Sequence, residues 1–470
     1  MSRKFREFLI ISCSVTLLKA QPQSPSLIDH RLDWNQITTE TTKILQDLLR
    51  INTTNPPGNE LAAAKYFQEL LSREGIPSEI LEAAPGRGSI IARLKGNGTK
   101  RPLLLMGHLD VVGVEKEMWS VDPFGGVIKG GILYGRGALD DKSMCAAEAA
   151  VMLLLKRNNI KLSRDVIFLA ESDEESSGEH GMVWLVDHHL AKINAEFAIN
   201  EGGRIVKKHG EVQYVGVQNT EKQYYDIKLT AEGTAGHASI PKPDNAIYRL
   251  ARALERLSHY TAPVKLNSTT RAFFKGLATV EHDPLSFYME NLETPGLADS
   301  ATREVSKILE YSSMLRNSIS PTLLNAGIRV NVIPNRAEAN LNCRLVPGEK
   351  VENFINEMRR VIADDEIKIE YERPLVAEPE ASSFENDIFQ AVSHVAKEMY
   401  PNAVTVPYMS TGATDSRALR AKGMQAYGLL PFPIDPEDIM LMHGNDERIS
   451  LDSFKKGIQL LYAVTVDVAK

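Results

Sequence analysis

The sequence predicts an α/β fold, in which a mostly parallel sheet with helices on its faces is interrupted by a smaller α+β domain. Three observations lead to this prediction. Between residues 89 and 199, short apolar runs alternate with helical patterns, as in a parallel sheet covered by helices. From about Gln218 the runs alternate between apolar and polar residues, as half-exposed strands do. After Pro374 the first pattern returns, so one domain interrupts the other.

The larger domain is predicted from the spacing of its apolar residues. Residues 34–51 form a helical pattern that ends at NTTNPPGNE, a turn that no helix crosses. The run AAEAAVMLLL indicates a buried helix over 142–156, and a shorter helix is predicted over 181–189. Buried strands are predicted over 89–94, 103–106, 165–170 and 196–199.

The smaller domain is predicted to mix strands and helices. Its strands are expected over 224–229, 328–333, 337–345 and 367–371, and its helices over 245–257 and 350–363. Residues 263–325 are interpreted as an irregular insertion that enlarges this domain. The larger domain resumes with helices over 384–399 and 451–468 and a strand over 425–429. The predicted boundaries are 34–217 and 374–470 for the larger domain and 218–373 for the smaller one.

The amino terminus has the pattern of a secretory signal peptide. A basic segment, an apolar run of about eleven residues and a small residue at Ala20 precede QPQSPS. We therefore predict a signal peptide over 1–20, a polar tether over 21–33 and export to the periplasm or the extracellular space. An uncleaved anchor and lipidation at Cys13 are the alternatives. The apolar run is short for a membrane span.

Composition narrows the possible functions. A chain of 470 residues is long enough for two domains. The formal net charge is −7 and no lysine or arginine block stands out, so nucleic-acid binding is not expected. Without the signal peptide only Cys145 and Cys343 remain, and they indicate no disulfide framework.

The stretch from Leu103 to Lys142 holds the first candidate site residues. Side chains two apart on a strand point the same way, so the carboxylate of Asp110 is expected beside the imidazole of His108. Such a carboxylate orients a metal-bound histidine and makes it more basic. The pair Asp140 and Asp141 follows in GRGALDDK. One aspartate there is typical of a helix N-cap, but the pair downstream of His-x-Asp indicates a site.

Further carboxylates follow the next apolar strands. Glu174 and Glu175 come after one strand, and Glu201 comes after another. Ligands of open α/β sheets bind at this carboxyl edge, which favours a shared site over a solvated acidic loop. One glutamate of the adjacent pair can bind a metal while the other is a general base. His443 and His237 lie in loops, where a lone histidine is more often solvated or hydrogen-bonded than a ligand.

The available ligand types indicate which metals fit. Histidine nitrogen with carboxylate oxygen suits zinc, cobalt or manganese, and thiolate ligation is not on offer. Five protein ligands are too many for one tetrahedral catalytic ion with an open position. They suffice for two ions that share a bridging carboxylate.

These residues resemble a known family of co-catalytic zinc amidohydrolases and peptidases. It contains aminoacylases, acetylornithine deacetylase, succinyl-diaminopimelate desuccinylase, glutamate carboxypeptidase and carboxypeptidase S. The matching pieces occur in family order from Gly107 to Glu447: GHLDVV, WSVDPFGGVIKGGILYGRGALDDK, ESDEE, INEGG, GTAGHASIP, NVIPNRAEANLNCR, TGATDSR and LMHGNDE. The resemblance implies a zinc-peptidase catalytic domain and a ferredoxin-like lid that also forms a dimer.

The resemblance implies two zinc ions, with Co²⁺ or Mn²⁺ as alternatives. His108 and Glu201 would bind one ion, and Glu175 and His443 would bind the other. Asp140 would bridge the two ions, and the peptide bond that follows it would be cis.

The resemblance also implies roles beyond metal binding. Asp110 would orient the first histidine ligand, and Glu174 would be the general base. His237 would stabilise the oxyanion, commonly in the site of the partner subunit. Asn331 and Arg344 would line the substrate pocket from the smaller domain.

The implied reaction is hydrolysis of an amide bond by a water that two metal ions activate. Glu174 would take a proton from this water and pass it to the leaving nitrogen. The guanidinium groups of Arg344 and Arg417 suit a substrate carboxylate, although a structural role for Arg417 is nearly as good an interpretation. We therefore expect a secreted carboxypeptidase or dipeptidase that cleaves next to a free carboxylate.

Two alternatives use the same fold. An aminoacylase would act on N-acyl amino acids, and a non-catalytic interaction protein would keep the fold without the chemistry. The presence of every expected ligand argues against the second. The sequence has no GxSxG nucleophile elbow and no P-loop, which argues against an esterase or a nucleotide enzyme. The expected partners are a small peptide or N-acyl amino acid and a second copy of the chain, with no nucleic acid and no stable membrane span in the mature chain.

Overall fold

The structure of the chain is a computed structural model that describes residues 26–176 and 178–470. The predicted signal peptide and the first part of the predicted tether lie outside these ranges. The rest of the tether packs on the protein. Ile28 is buried in the main core, and the backbone N–H of Leu27 donates to Glu398 Oε2 at 2.8 Å. No helix within the described ranges is long and apolar enough to cross a membrane.

Helices and strands follow one another along the described residues. The strands are β1 (Ser78–Ala84), β2 (Arg87–Leu94), β3 (Leu103–His108), β4 (Val127–Lys129), β5 (Ile132–Tyr134), β6 (Val166–Glu171), β7 (Phe197–Asn200), β8 (Arg204–Lys208), β9 (Glu211–Glu221), β10 (Gln223–Glu232), β11 (Gly236–His237), β12 (Ser318–Ala326), β13 (Val332–Ile333), β14 (Arg336–Leu345), β15 (Ile367–Tyr371), β16 (Val404–Ser410), β17 (Gln425–Gly428), β18 (Pro433–Ile434) and β19 (Arg448–Ser450). The helices are α1 (Trp34–Arg50), α2 (Glu60–Arg73), α3 (Lys142–Arg157), α4 (Met182–His188), α5 (Leu190–Ile193), α6 (Ala246–Ser258), α7 (Ser268–Ala278), α8 (Leu285–Glu290), α9 (Ala298–Val305), α10 (Leu309–Leu315), α11 (Val351–Ile362), α12 (Asp387–Met399), α13 (Ser416–Ala421), α14 (Pro436–Ile439) and α15 (Leu451–Ala469).

The larger sheet is mixed. Its order is β1-β2-β6-β3-β7-β17-β9-β8-β18, and β16 pairs with β9 beside this path. The central strands β6, β3, β7 and β17 are parallel to one another. The pairs β1–β2, β2–β6 and β8–β9 are antiparallel. The predicted α/β class is confirmed, and the sheet is less parallel than expected because antiparallel strands extend it on both sides.

The centre of this sheet is apolar on both faces. Strands β3 and β6 are buried along their whole length, as parallel strands covered by helices are. Helix α3 is buried from Lys142 to Leu155, and its alanine-rich surface packs against β3 and α15. Each large aliphatic side chain buried here contributes roughly 1.5–3 kcal/mol to folding. The ends of the central strands are therefore held by a well-packed core.

A separate four-stranded antiparallel sheet carries α6 and α11. Its order is β12-β14-β10-β15. With the chain order β-α-β-β-α-β this arrangement is ferredoxin-like, as expected. Ile227 of β10, Leu341 of β14 and Phe354 of α11 lie in its hydrophobic core. This sheet and its core agree with an inserted domain, while the boundaries at 217/218 and 373/374 stay a prediction.

Residues 263–325 are not irregular, and that prediction is wrong. They include helices α7 to α10 and strand β12. Phe273 and Phe274 of α7 pack with Tyr311 and Tyr408 in a cluster against β16 of the larger sheet. The four helices thus extend the core of the larger sheet rather than the smaller one, because their aromatic side chains cover β16.

The prediction of a strand over 328–333 is also wrong for most of these residues. Only Val332–Ile333 is extended, as β13, and it pairs with β11. Ile328 and Val330 are exposed, so their β-branched side chains belong to a surface loop. The sequence prediction also omits β1, β9, β16 and α2, whose apolar patterns are short or mixed. The other predicted helices and strands are confirmed to within about one turn.

Candidate metal centre

The candidate ligands meet at one edge of the larger sheet. His108 is the last residue of β3, and Glu201 directly follows β7. Glu174 and Glu175 follow β6 after a short turn. Because β6, β3 and β7 are neighbouring parallel strands, their carboxyl ends lie side by side. This is the edge at which ligands of open α/β sheets bind.

Close packing below this edge requires a glycine. Gly107 precedes the first histidine ligand, and a Cβ on it would lie 2.3 Å from Oδ2 of Asp141. Any larger residue would therefore push the strand away from the turn that carries Asp140. That turn contains a cis peptide bond between Asp140 and Asp141, as the family resemblance implies.

Within residues 26–176 and 178–470, two groups of candidate ligand atoms are close enough together to hold a metal ion each. One group is His108, Asp140 and Glu201, and the other is Asp140, Glu175 and His443. Within each group the atoms lie within 4.8 Å of one another. Asp140 belongs to both groups: its Oδ1 is 2.9 Å from His108 Nε2, and its Oδ2 is 3.1 Å from His443 Nε2. The geometry is that of a carboxylate placed between two ion positions.

The electrostatics of this cluster favour a cation. Burial and the nearby charge of Asp140 raise the pKa of Glu201 well above its usual value. Hydrogen bonds to Asp140 and Glu175 raise the pKa of His443 to about 10. The shift of His443, and in part that of Glu201, reflects a concentration of negative charge, which divalent cations would neutralise. Nitrogen and oxygen donors without thiolate fit zinc, cobalt or manganese.

Asp110 does more than orient His108. The Nδ1 atom of His108 lies 3.0 Å from the Asp110 backbone oxygen and 3.5 Å from Asp110 Oδ1. The same carboxylate accepts hydrogen bonds from the backbone N–H groups of Glu174 at 3.1 Å and Glu175 at 3.0 Å. Burial raises the pKa of Asp110, but the hydrogen bonds from His108 and Asn55 outweigh it and lower that pKa. One buried carboxylate therefore positions the side chain of one candidate ligand and the backbone of the candidate base and of a second candidate ligand.

Sequence reasoning missed the residues that support Asp110. The side-chain amide of Asn55 donates to Asp110 Oδ2 at 2.8 Å and to Asp173 Oδ1 at 3.0 Å. Arg87 donates to the same Asp173 oxygen at 2.7 Å. Asn55 lies in NTTNPPGNE, which was interpretable from sequence only as a turn. Its function depends on a contact across 55 residues of chain, and the sequence carries no signal for that contact.

A cavity of about 740 Å³ opens in front of the ligands. Glu174, the candidate general base, lies in its wall, and burial together with the charge of Glu201 raises the pKa of Glu174 well above its usual value. The smaller domain contributes Tyr224, Asp226 and Arg344 to the same cavity. The site is thus formed by both sheets.

Arg344 and Arg417, the two candidate carboxylate-binding residues, both line this cavity. The Nη1 atoms of both are buried and have no hydrogen-bond partner among residues 26–176 and 178–470. The guanidinium of Arg344 stacks over the ring of Tyr224, 4.7 Å from its centroid, and its Nε donates to Asn342 Oδ1 at 3.1 Å. Tyr224 and Asn342 therefore hold the Arg344 group, while one of its nitrogens stays available.

His237 and Asn331 are not brought to this cavity. They lie together on the exposed surface of the smaller domain, where the Ala238 N–H donates to the Asn331 carbonyl at 3.0 Å. His237 Nδ1 is 2.8 Å from Ser239 Oγ. The structure of a single chain does not test their predicted roles in oxyanion stabilisation and substrate binding, which stay predictions.

A model of peptidase family M20/M25/M40 matches residues 104–467 of the sequence. The chain belongs to this family. The match begins just before the first candidate ligand and ends in α15, so it includes the smaller sheet, the larger sheet apart from β1 and β2, and every candidate ligand. The resemblance inferred from the sequence motifs is confirmed.

Individual members of the family differ in their named activities. The chain is 29% identical to the N-fatty-acyl-amino acid synthase/hydrolase PM20D1 of Homo sapiens over 410 residues, 85% of this chain and 80% of that one. It is 28% identical to a protein described as probable carboxypeptidase S-like 2 of Dictyostelium discoideum over 394 residues, 81% of this chain and 75% of that one. The crystal structure of the metallo-carboxypeptidase Sso-CP2 from Sulfolobus solfataricus superposes with a TM-score of 0.68. At 20% identity over 91% of this chain and 99% of that one, the last similarity shows the fold alone.

Proposed function

We propose that this chain is a two-metal amidohydrolase that cleaves N-acyl amino acids next to a free carboxylate. The observation that carries the proposal is the pair of guanidinium groups, Arg344 and Arg417, in the cavity that also contains the ligand cluster. A buried N–H without a protein acceptor is costly unless a ligand supplies one. A carboxylate can accept two parallel hydrogen bonds from one guanidinium group, and this bidentate pair is among the strongest hydrogen-bond arrangements of arginine.

Residues of the ligand edge would carry the reaction. Two bound divalent cations would supply Lewis acidity and lower the pKa of a water. Glu174 would take a proton from the attacking water on its carboxylate and deliver it to the leaving amine. Asp110 would hold the backbone of Glu174 still during this transfer, through the hydrogen bond described above. We take zinc as the default metal, with Co²⁺ or Mn²⁺ as alternatives.

Part of the cavity wall is apolar, and we assign this part to the acyl group of the substrate. Val183, Leu375 and Val376 line the cavity together with the two arginines. Leu375 is 64% exposed, so its apolar surface is available to a group bound in the cavity. An apolar acyl chain fits this wall, in keeping with the named substrate of the PM20D1 relatives. We therefore favour the aminoacylase type over the carboxypeptidase type.

A peptide substrate is the second candidate, because acidic side chains also line the cavity. Asp226 and Glu372 could pair with the α-ammonium group of a dipeptide. The carboxypeptidase names of the Dictyostelium and Sulfolobus proteins agree with this alternative.

We propose a homodimer formed through the smaller domain, and export after removal of residues 1–20. The smaller domain exposes several large apolar side chains near His237, and β12 is an edge strand of its sheet. Exposed apolar surface next to an open sheet edge is typical of an interaction surface. Pairing of two copies there would give His237 a place in the reaction of the partner subunit.

A paired substrate panel tests the function. The purified chain, loaded with zinc or cobalt, is given N-acyl amino acids with short and long acyl groups in one arm, and dipeptides and tripeptides in the other. Each compound is used with a free and with an amidated carboxylate, and amine release is measured. We expect turnover of the acyl arm, a preference for longer acyl groups and loss of turnover on amidation.

Three other outcomes of the panel are informative. Preference for the peptide arm would favour the carboxypeptidase alternative. Equal turnover of amidated compounds would contradict the role of the arginines. No turnover in either arm, with two ions bound per chain, would favour the non-catalytic interaction protein.

A further inference from the structure

A buried ion pair lies between two parts of the candidate metal centre without being a ligand. Arg136 Nη1 donates to Glu447 Oε2 at 2.6 Å, and the two residues are 2% and 0% exposed. They are 311 residues apart in the sequence. Arg136 lies four residues before the candidate bridging ligand Asp140, and Glu447 lies four residues after the candidate ligand His443.

Glu447 contacts the backbone of the bridging ligand directly. Its Oε1 atom accepts hydrogen bonds from the N–H groups of Leu139 at 2.8 Å and Asp140 at 3.0 Å. The backbone oxygen of Glu447 in turn accepts from the N–H of Gly135 at 3.0 Å. The turn that carries Asp140 is therefore attached to the segment that carries His443 at three points.

Arg136 completes the attachment from the opposite side. Its Nη2 atom donates to the carbonyl of Gly444, the residue after His443, at 2.8 Å. The guanidinium lies over the ring of Trp119, 5.3 Å from its centroid, which fixes its plane. His443 has a φ of 60°, a left-handed conformation that a non-glycine residue keeps only when its surroundings hold it. The contact to Gly444 is such a restraint.

We propose that the Arg136–Glu447 pair is a positioning device that sets the distance between Asp140 and His443 and so determines the affinity of the ion that these residues share with Glu175. The proposal rests on the two-metal centre of the proposed function. A buried ion pair is weak evidence for stability, because apolar residues of similar volume often replace one without loss. Its attachment to the backbones of two ligand segments instead indicates a role in ligand geometry. Partners outside the ligand set commonly change metal affinity about 10- to 100-fold when they are altered.

Two conservative variants test the proposal in the full chain. Glu447→Gln keeps an oxygen for the Leu139 and Asp140 N–H groups but removes the charge that faces Arg136. Arg136→Lys keeps the charge but replaces the rigid fork of two nitrogens, which donate separately to Glu447 and Gly444, with a single nitrogen on a flexible stem. After removal of metal with a chelator, Zn²⁺ or Co²⁺ is titrated into each protein by calorimetry. We expect one of the two ions to bind about 10- to 100-fold more weakly in both variants.

The chain offers a matched control in Arg164→Lys. Arg164 is likewise buried, lies over an aromatic ring, 5.2 Å from the centroid of Phe197, and pairs with Glu196 at 2.7 Å. It lies near the opposite end of β7 from Glu201. Arg164→Lys is expected to lower Tm but to bind both ions as the wild-type chain does.

The background variant His443→Ala removes one ligand of the affected ion. In that background Arg136→Lys is expected to cause no further loss of affinity for the remaining ion, because its effect passes through the His443 segment.

Two results would overturn the proposal. If both conservative variants lower the Tm of the metal-free and the metal-loaded chain equally and leave both metal affinities unchanged, the pair is only structural. If the wild-type chain binds fewer than two ions, the two-metal centre fails, and this inference fails with it. The first result would leave the proposed function intact, so the two failures are distinguishable.

Discussion

The ligand edge of the larger sheet and the outer surface of the smaller domain both contain predicted site residues, but their surroundings differ. At the ligand edge, His108 and Asp140 are 1% and 8% exposed and are held by contacts within this chain. On the smaller domain, His237 and Asn331 are exposed beside Ile328 and Val330, which are 92% and 103% exposed. The first region is assembled by one chain. We expect the second to be assembled by two copies.

This difference separates two kinds of site residue. A ligand at the end of a buried strand is positioned by the core beneath it, so its geometry exists before any partner binds. Strands β11 and β13 form a pair at the surface. A site residue on such a pair is surrounded completely only when a binding partner covers it. We therefore expect the two regions to differ in which functions survive in a single chain.

The largest expected effect comes from Glu174, within the buried region. Glu174→Ala removes the proposed proton acceptor and should lower kcat by about 10²- to 10⁴-fold. Metal content and Tm should stay near the wild-type values, because Glu174 is not in either ligand group. Turnover with metal analysis on the same preparation tests this. Near-normal turnover would remove Glu174 from its proposed role.

The next effect concerns the exposed region. His237→Ala should lower kcat by about 10²- to 10³-fold, the usual loss for an oxyanion donor. If His237 acts in the partner subunit, mixing the His237→Ala and Glu174→Ala chains should restore activity, because a mixed dimer contains one site with both residues. Activity is measured after co-refolding of the two variants. Mixtures as inactive as their components would place His237 outside the partner's site.

A smaller effect is expected where the two regions meet in the cavity. Arg344→Ala removes a charge-assisted hydrogen bond worth about 1.5–3 kcal/mol, so KM for substrates with a free carboxylate should rise about 10- to 100-fold. Amidated substrates should be little affected. Arg336→Ala is the control, since Arg336 is an exposed arginine on the same strand. Equal loss on free and amidated substrates would contradict carboxylate binding.

The smallest effect on turnover is expected at the junction between the two sheets, where the predicted change is in stability. Lys222 connects β9 to β10, and its Nζ donates to the Arg316 carbonyl at 2.6 Å. Burial lowers the pKa of Lys222 to about 7, so between pH 7 and about pH 10 the unfolded chain binds more protons than the folded chain. This residue therefore makes the free energy of unfolding rise with pH across that range, by at most about 1.4 kcal/mol per pH unit.

In Lys222→Met, the free energy of unfolding should rise less steeply between pH 7 and about pH 10. The difference in unfolding free energy between variant and wild type should therefore favour the variant most at or below pH 7 and decrease up to about pH 10. Denaturant unfolding at several pH values measures the difference. The control is Lys228→Met, at a partly exposed lysine of the adjoining strand β10. A constant difference between variant and wild type at all pH values would contradict the shifted pKa.

Much of the fold could be predicted because its signals are local. Helix α3 and strands β3, β6 and β7 are mostly apolar, and their buried character is visible in a short window of sequence. The helices of 268–315 are not predicted from the sequence, because their aromatic side chains form a recognisable core only when they pack against β16. The loop around Ile328 was mistaken for a strand because β-branched residues also occur on exposed surfaces.

By itself, the sequence determined the α/β class and the residue types gathered at the strand ends, since these depend on the order of residues along the chain. Its resemblance to the family implied the candidate ligand pairs and the cis bond after Asp140. Only the tertiary structure decided which residues support those ligands. Asn55 beneath Asp110, and Glu447 against the backbone of Asp140, act across 55 and 307 residues. The reason is physical. A strand end places a ligand by local geometry, whereas a hydrogen bond between distant segments exists only after the core has brought them together.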